Sequence, residues 1–479
     1  MKPGARVLLV SMVVAAGVGR GSGRVAAQPA GTPAAVPGPA PPSDCAVAGA
    51  APDEALYNSG VCRERAGAPD EAIAAYQELR TRFPKSPLAA RALARIGNLH
   101  ARVADYAEAA DALEEYARRY PAERDAADAL ADASYYRARL DDDAKAIADT
   151  TAFVRTCGAK QPAEAARAFF GLGAVYERRG KPDELVRHLQ AYLRTYGAKG
   201  GGDRLVIAYA RIGQLLWDES CPVKTVDGAC FAVAPAHAAQ CGPRSVRAVT
   251  VVTREPRKVK AAMVAFASAV ATYEHAAGRF PDGDEAAARH AYAAARFGQA
   301  ELDYEAFLAL AVPAGLDFDP SHPAVAKRST ARFSSWLADK RRLGEKATAA
   351  YQRLVTDVKD PATSIAAAAR AGQVSEAFAD ALLSAELPAP IRGSKDLVDA
   401  YCDALTEAAE PLEQHAIDGF AACLQTSSAL GWAPPWSPLC ERELGQLRPD
   451  EYPPSNELHA APAAAASPFD LAPPIDSVP

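Results

Sequence analysis

Alanine-rich helical segments return in this chain at a nearly fixed step, and that step limits what the chain can fold into. Ala72, Ala109 and Ala146 hold equivalent places in DEAIAAY, AEAADAL and AKAIADT, 37 residues apart, and Leu185 in DELVRHL follows 39 later. Offsets of four and seven from these positions give Tyr76 and Leu79, Leu113 and Tyr116, Thr150 and Phe153, Leu189 and Tyr192. Such offsets fall on one stripe of an α-helix. Pro84 in RFP and Pro121 in RYP stop two of these helices. A preceding helix repeats too, in ALYNSGVCRERAG, ALARIGNLHARVA and FFGLGAVYERRG. It carries Gly60, Gly97 and Gly173, with Ser134 as the small substitute in the third unit. A helical glycine costs roughly 1 kcal/mol of propensity, so it implies a close approach by a neighbouring helix. The unit reappears far downstream, where AIAAYQELRTRFPKSPLAARALARIG (72–97) aligns without a gap with ATAAYQRLVTDVKDPATSIAAAARAG (347–372). A unit that buries its apolar face only against its neighbours has to be repeated. The expected fold is therefore all-α, an α-solenoid of antiparallel helix pairs.

These residues resemble the tetratricopeptide repeat (TPR) family. Phe169, Leu172, Gly173 and Tyr176 fit the family pattern of the first helix, with Leu185 where alanine is usual. The step of 37 to 39 residues exceeds the family's 34, and the surplus fits the loop FPKSPLAA. That long-loop variety is similar to exported bacterial TPR proteins that serve outer-membrane assembly or coordinate envelope complexes. The resemblance is good over 51–217 and patchy over 257–430. It implies a scaffold whose concave face binds a partner segment. In TPR proteins the position five past the repeat glycine borders that groove, and here it holds Arg65, Arg102, Arg139 and Arg178. A guanidinium ladder would bind carboxylates or an acidic peptide. The alternative is that the four cations offset the dipoles of the helices they end. Tyr57 and Asn98 take groove-facing places in the same alignment.

Lys2 and Arg6 precede an apolar run, Val7 to Val18, too short to span a bilayer comfortably and suited to a signal peptide over 1–27. Arg20 and Arg24 leave an uncleaved membrane anchor as the alternative. The expected organisation continues with a Pro/Ala-rich spacer (28–50), TPR-like repeats (51–220) and a cysteine-containing insertion of irregular or β structure (221–256). Degenerate helical repeats with a C-terminal cap (257–447) and a disordered tail (448–479) complete it. Export makes disulfides the default for Cys45, Cys62, Cys221, Cys230, Cys241, Cys402, Cys423 and Cys440. With Cys157 the count is nine, so one thiol stays unpaired or bridges a homo-oligomer. Zinc on Cys221, Cys230, His237 and Cys241 is the alternative, although the spacings match no paired-cysteine knuckle. Pro411 is expected to split two helices of a terminal hairpin, stapled to a last short helix through Cys402, Cys423 and Cys440. Trp432 and Trp436 would pack against it.

The net charge of −6 argues against a general nucleic-acid binder. No GxSxG, HExxH or paired-carboxylate signature is present, and GAKGGGDR (197–204) lacks the Gly-Lys-Ser/Thr ending of a phosphate loop. The chain is thus expected to use no catalytic residue, cofactor or metal. It reads as an exported scaffold in the periplasm or cell envelope, whose partner is another envelope protein. The alternatives are an accessory factor or enzyme acting on cell-wall polymer, and a disulfide-linked structural oligomer.

Overall fold

The computed structural model describes residues 50–453, apart from 248, 282, 320, 432 and 433, together with Phe469. The expected signal peptide, nearly all of the spacer, Cys45, Trp432 and most of the tail lie outside the described residues.

The chain is an all-α, TPR-like solenoid. Its described helices are α1 (Pro52–Arg65), α2 (Pro69–Arg82), α3 (Leu88–Arg102), α4 (Tyr106–Arg119) and α5 (Ala126–Arg139). Then come α6 (Asp143–Cys157), α7 (Pro162–Arg178), α8 (Pro182–Thr195), α9 (Gly202–Glu219) and α10 (Pro256–His275). The last five are α11 (Glu285–Ala309), α12 (Pro323–Arg353), α13 (Pro361–Leu383), α14 (Lys395–Leu430) and α15 (Trp436–Leu447). They pack in consecutive pairs, α1 with α2 through α13 with α14, and α15 rests on α13 and α14 at the end.

Local sequence explains the pairs. Proline opens α1, α2, α7 and α8 in the first turn, where its missing N–H is not needed. The first helices α1, α3, α5 and α7 each end two residues before a turn residue in the left-handed region, Gly67 (φ 74°), Ala104 (φ 66°), Asp141 (φ 60°) and Gly180 (φ 62°). Within three of these turns a backbone N–H reaches back to an orphan carbonyl, Ala68 to Arg63, Asp105 to His100 and Asp142 to Arg137, each at 2.9 Å. The repeat's small residue then seats a side chain from the second helix. A Cβ at Gly60 would stand 2.4 Å from the Tyr76 ring, and one at Gly97 would stand 2.9 Å from Leu113. At the third unit Ser134 hydrogen-bonds Thr150 instead.

The insertion between α9 and α10 is a strap. Strand β1 (Phe231–Val233) pairs antiparallel with β4 (Val249–Val251), and inside them β2 (His237–Ala238) pairs with β3 (Ser245–Val246). Gln240 and Cys241 donate their N–H groups to the Leu383 carbonyl, and Cys230 donates its own to Glu305. Cys221 bonds Cys230 within the strap, Cys241 bonds Cys402 on α14, and Cys423 bonds Cys440 on α15. Cys62 is disulfide-bonded as well. The three cysteines of the alternative zinc set are thus disulfide sulfurs rather than thiolates, and His237 is exposed on β2.

The expected terminal hairpin is corrected by the structure. Helix α14 runs unbroken through Pro411. An interior proline costs about 3 kcal/mol, and the long apolar seam that α14 shares with α13 outweighs it. Leu405, Ala409, Ala416, Ile417 and Phe420 bury along α14 on both sides of the proline. Cys402 accordingly joins the strap, while Cys423 and Cys440 alone tie α14 to the last helix.

The strap also closes over an acidic cluster. Arg244 pairs with Asp380 of α13 and Glu413 of α14, and Arg247 pairs with Glu443 of α15. Four carboxylates (Glu376, Asp380, Glu413, Glu443) thus share the two strap guanidinium groups and that of Arg442, which also pairs with Glu443. Desolvation first, then Glu443 and Asp380, pushes Glu376 up to about 8, and desolvation raises Asp380 to about 6. Between the ordinary carboxylate range and about pH 8 the folded state holds a proton that the unfolded chain has released. Stability therefore falls as pH rises through this window. We expect a loss on the order of 2 kcal/mol from pH 6 to pH 9, measured by urea unfolding at each pH. The Glu376→Gln variant, which has no proton to lose there, should show a flatter profile.

Candidate functional site

The first helices of successive pairs share one face, and a recurring Ala-Arg-x-Gly links them. It occurs at Ala94–Gly97, Ala210–Gly213, Ala295–Gly298 and Ala369–Gly372. Each arginine reaches a glutamate of the preceding pair. Arg95 binds Glu64 at 2.8 Å, and Arg211 binds Glu177. Arg296 stands 3.7 Å from Glu274. Arg370 grips Glu301 through Nε at 2.8 Å and Nη2 at 2.6 Å. The exposed Arg296 pair contributes little, whereas the last pair is wholly buried.

The residues singled out from sequence lie along the N-terminal half. Tyr57 accepts a hydrogen bond from Arg95 at 3.1 Å, and Asn98 is half-buried on α3. Arg65, Arg102, Arg139 and Arg178 are each the last residue of a first helix and each is exposed. Arg102 lies 3.5 Å from Glu64, and Arg139 stacks over Tyr135 at 5.3 Å. Arg178 reaches back to Asp141 at 3.1 Å and to Asp143. Arg102 and, through Arg95, Tyr57 therefore meet around Glu64, while Arg139 lies on its own helix and Arg178 ties α7 to the α5–α6 turn of the preceding pair.

A cavity of about 850 Å³ lies between α7 and α15. First helices of four consecutive pairs line it: α7 through Glu177, α9 through Arg211, Trp217 and Asp218, α11 through His290, Phe297 and Glu301, and α13 through Ala362. Phe266 of α10, Asp227 of the strap and Trp436 of α15 complete the wall. Alanines on α11 (Ala286, Ala287, Ala291, Ala294) keep the space open.

Its charges are mostly neutralised from behind. Arg370, with no exposed surface, holds Glu301, donates to the Asp227 carbonyl at 2.7 Å, and stacks on Tyr304 (4.5 Å) and Trp436 (5.0 Å). Tyr351 adds a 2.7 Å bond to Glu301. One turn on, Arg254 clamps Glu305 and lies 3.8 Å over Trp217. His290 is raised by its hydrogen bond to Asp360. Asp218 is exposed on the cavity wall, so its carboxylate is open to pairing with a cationic group of a bound segment. The Trp217 indole N–H is buried without a hydrogen-bond partner. This arrangement fits an apolar segment carrying a basic side chain.

The cavity escapes inspection of single motifs. The signal that leads toward it is Ala-Arg-x-Gly, which marks three of the four first helices that line it, α9, α11 and α13, and also α3, which does not. Among the described residues, no cluster of three or more His, Cys, Asp or Glu side chains is arranged to hold a metal ion. No described helix is long and apolar enough to cross a membrane.

The tetratricopeptide repeat family model matches residues 54–86, the span of α1 and α2. No curated protein matches the sequence. Among solved structures, one titled "Structure of Naa15/Naa10 bound to HypK-THB" is 15% identical, with a TM-score of 0.24, over 82% of this chain and 57% of that one. This chain thus spans little more than half the length of that one.

Proposed function

We propose that this protein is an exported scaffold of the bacterial cell envelope that holds a segment of another envelope protein on the inner face of its helical array. The observation that carries the reading is the cavity, built by the first helices of four consecutive pairs and walled by Trp217, Phe266, Phe297 and Trp436. Aromatic anchors in a desolvated pocket are what dominate binding at protein interfaces. The disulfides support an oxidising compartment, and the basic-then-apolar N-terminus supports export. Asp218 and Asp227 favour a partner segment with a basic residue among apolar ones.

Cross-linking capture from native envelopes tests this. Wild type would be compared with Asp218→Asn/Trp436→Ala and with Arg65/Arg102/Arg139/Arg178→Glu, all matched for fold by circular dichroism. We expect one specific protein whose capture drops at least about tenfold in the cavity variant, the scale of losing one anchor residue. Loss confined to the arginine variant would move the site to the N-terminal half. Absence of any specific capture would overturn the scaffold reading.

A further inference from the structure

Phe469 lies 22 residues beyond the end of α15, the last described helix, yet it is 3% exposed. Its ring sits edge-on to Phe170 of α7 at 5.2 Å, within the apolar cluster built by α7, α8 and α9. The three atoms nearest a Cβ placed on Gly173 all belong to Phe469, at 2.6 to 2.8 Å.

That seat is filled from the tail, whereas other repeat glycines are filled from helices of the array: Phe266 of α10 lies against both Gly213 and Gly298, and Phe420 of α14 lies against Gly372. In the first three units the small residue of the first helix meets a side chain sixteen residues on, from the second helix of its own pair: Tyr76 on Gly60, Leu113 on Gly97, Thr150 on Ser134. The corresponding residue of the fourth unit is Leu189. It is buried, yet Phe469 is what lies against Gly173. The fourth unit therefore carries a phenylalanine socket filled from outside the repeat.

We propose that this socket is an exchangeable binding site for a phenylalanine presented by a peptide segment of a partner, and that the chain's own Ser467-Pro468-Phe469-Asp470-Leu471 is its built-in competitor. A segment tethered in the same chain acts at an effective concentration on the order of millimolar. A partner that presents the same ring together with contacts of its own displaces it. The tail thereby sets a threshold for binding in trans. The inference goes beyond the scaffold reading and stands whether or not the cavity captures a partner, because its ligand is a defined peptide.

The experiment uses the full chain and a fluorescent peptide of residues 464–474, followed by anisotropy. Phe469→Ala empties the socket while leaving the helices intact, and it should bind the peptide at least about tenfold more tightly than wild type does, as release from an intramolecular competitor requires. The same peptide with alanine for phenylalanine should not bind. Gly173→Ala, combined with Phe469→Ala, places a methyl where the ring sits and should abolish binding, while its helix content holds. Equal binding by wild type and Phe469→Ala, or binding by neither, would overturn the proposal. Sedimentation supplies the other outcome. A wild-type dimer that Phe469→Ala makes monomeric would assign the socket to a second copy's tail and overturn the competitor in cis.

Discussion

Replacing Arg370 by leucine should destabilise the protein by about 3–5 kcal/mol, the usual cost of stripping one partner from a buried ion pair. Glu301 is 3% exposed and would keep its charge among Tyr304, Tyr351 and apolar walls with no cation in contact. The Asp227 carbonyl of the strap would lose its donor at the same time. Urea unfolding of the single variant gives the loss directly. The double variant Arg370→Leu/Glu301→Leu should recover most of it, because the desolvation cost of both charges disappears with them. A single variant as stable as wild type would mean that the pair contributes nothing net and that Glu301 takes up a proton instead. Trp436 lies 5.0 Å from the guanidinium and lines the cavity, so the single variant should also weaken partner capture.

The second large effect belongs to the strap's tie to α14. Cys241 and Cys402 are 161 residues apart, whereas Cys221 and Cys230 are 9 apart. In the chain-entropy account a cross-link stabilises by restricting the unfolded chain, and more so for a longer loop. That gives about 5 kcal/mol for the long loop and roughly half of it for the short one. Cys241→Ser/Cys402→Ser should therefore lose more stability than Cys221→Ser/Cys230→Ser, by about 2 kcal/mol. The check is the difference in unfolding free energy between the two double variants, with oxidation state followed on non-reducing gels. No loss on removing the long bridge would show that it is dispensable and that Arg244 and Arg247 hold the strap by themselves.

Legibility in the sequence followed the range of the interactions. The helix pairs were legible because apolar stripes, terminal prolines and small residues act over one or two turns, and a step of 37 residues survives as spacing. Arg65, Arg102, Arg139 and Arg178 stood out as a column for the same reason, and each ends a helix at a left-handed turn. Pro411 misled because its local cost is real, and only the neighbouring α13 shows what outweighs it. The Cys402 partner was illegible, since nothing local to residue 402 points to residue 241.

By itself, then, the sequence determined an array of paired helices, a break at the insertion and a return to pairs. Periodicity and turn chemistry are properties of neighbouring residues, and they are written in order along the chain. The tertiary structure decided that the insertion straps the last pairs together, that Arg370 and Glu301 floor a cavity, and that Phe469 returns to Gly173. Each of these joins groups 69 or more residues apart, where which side chain meets which depends on how the whole stack curves and closes.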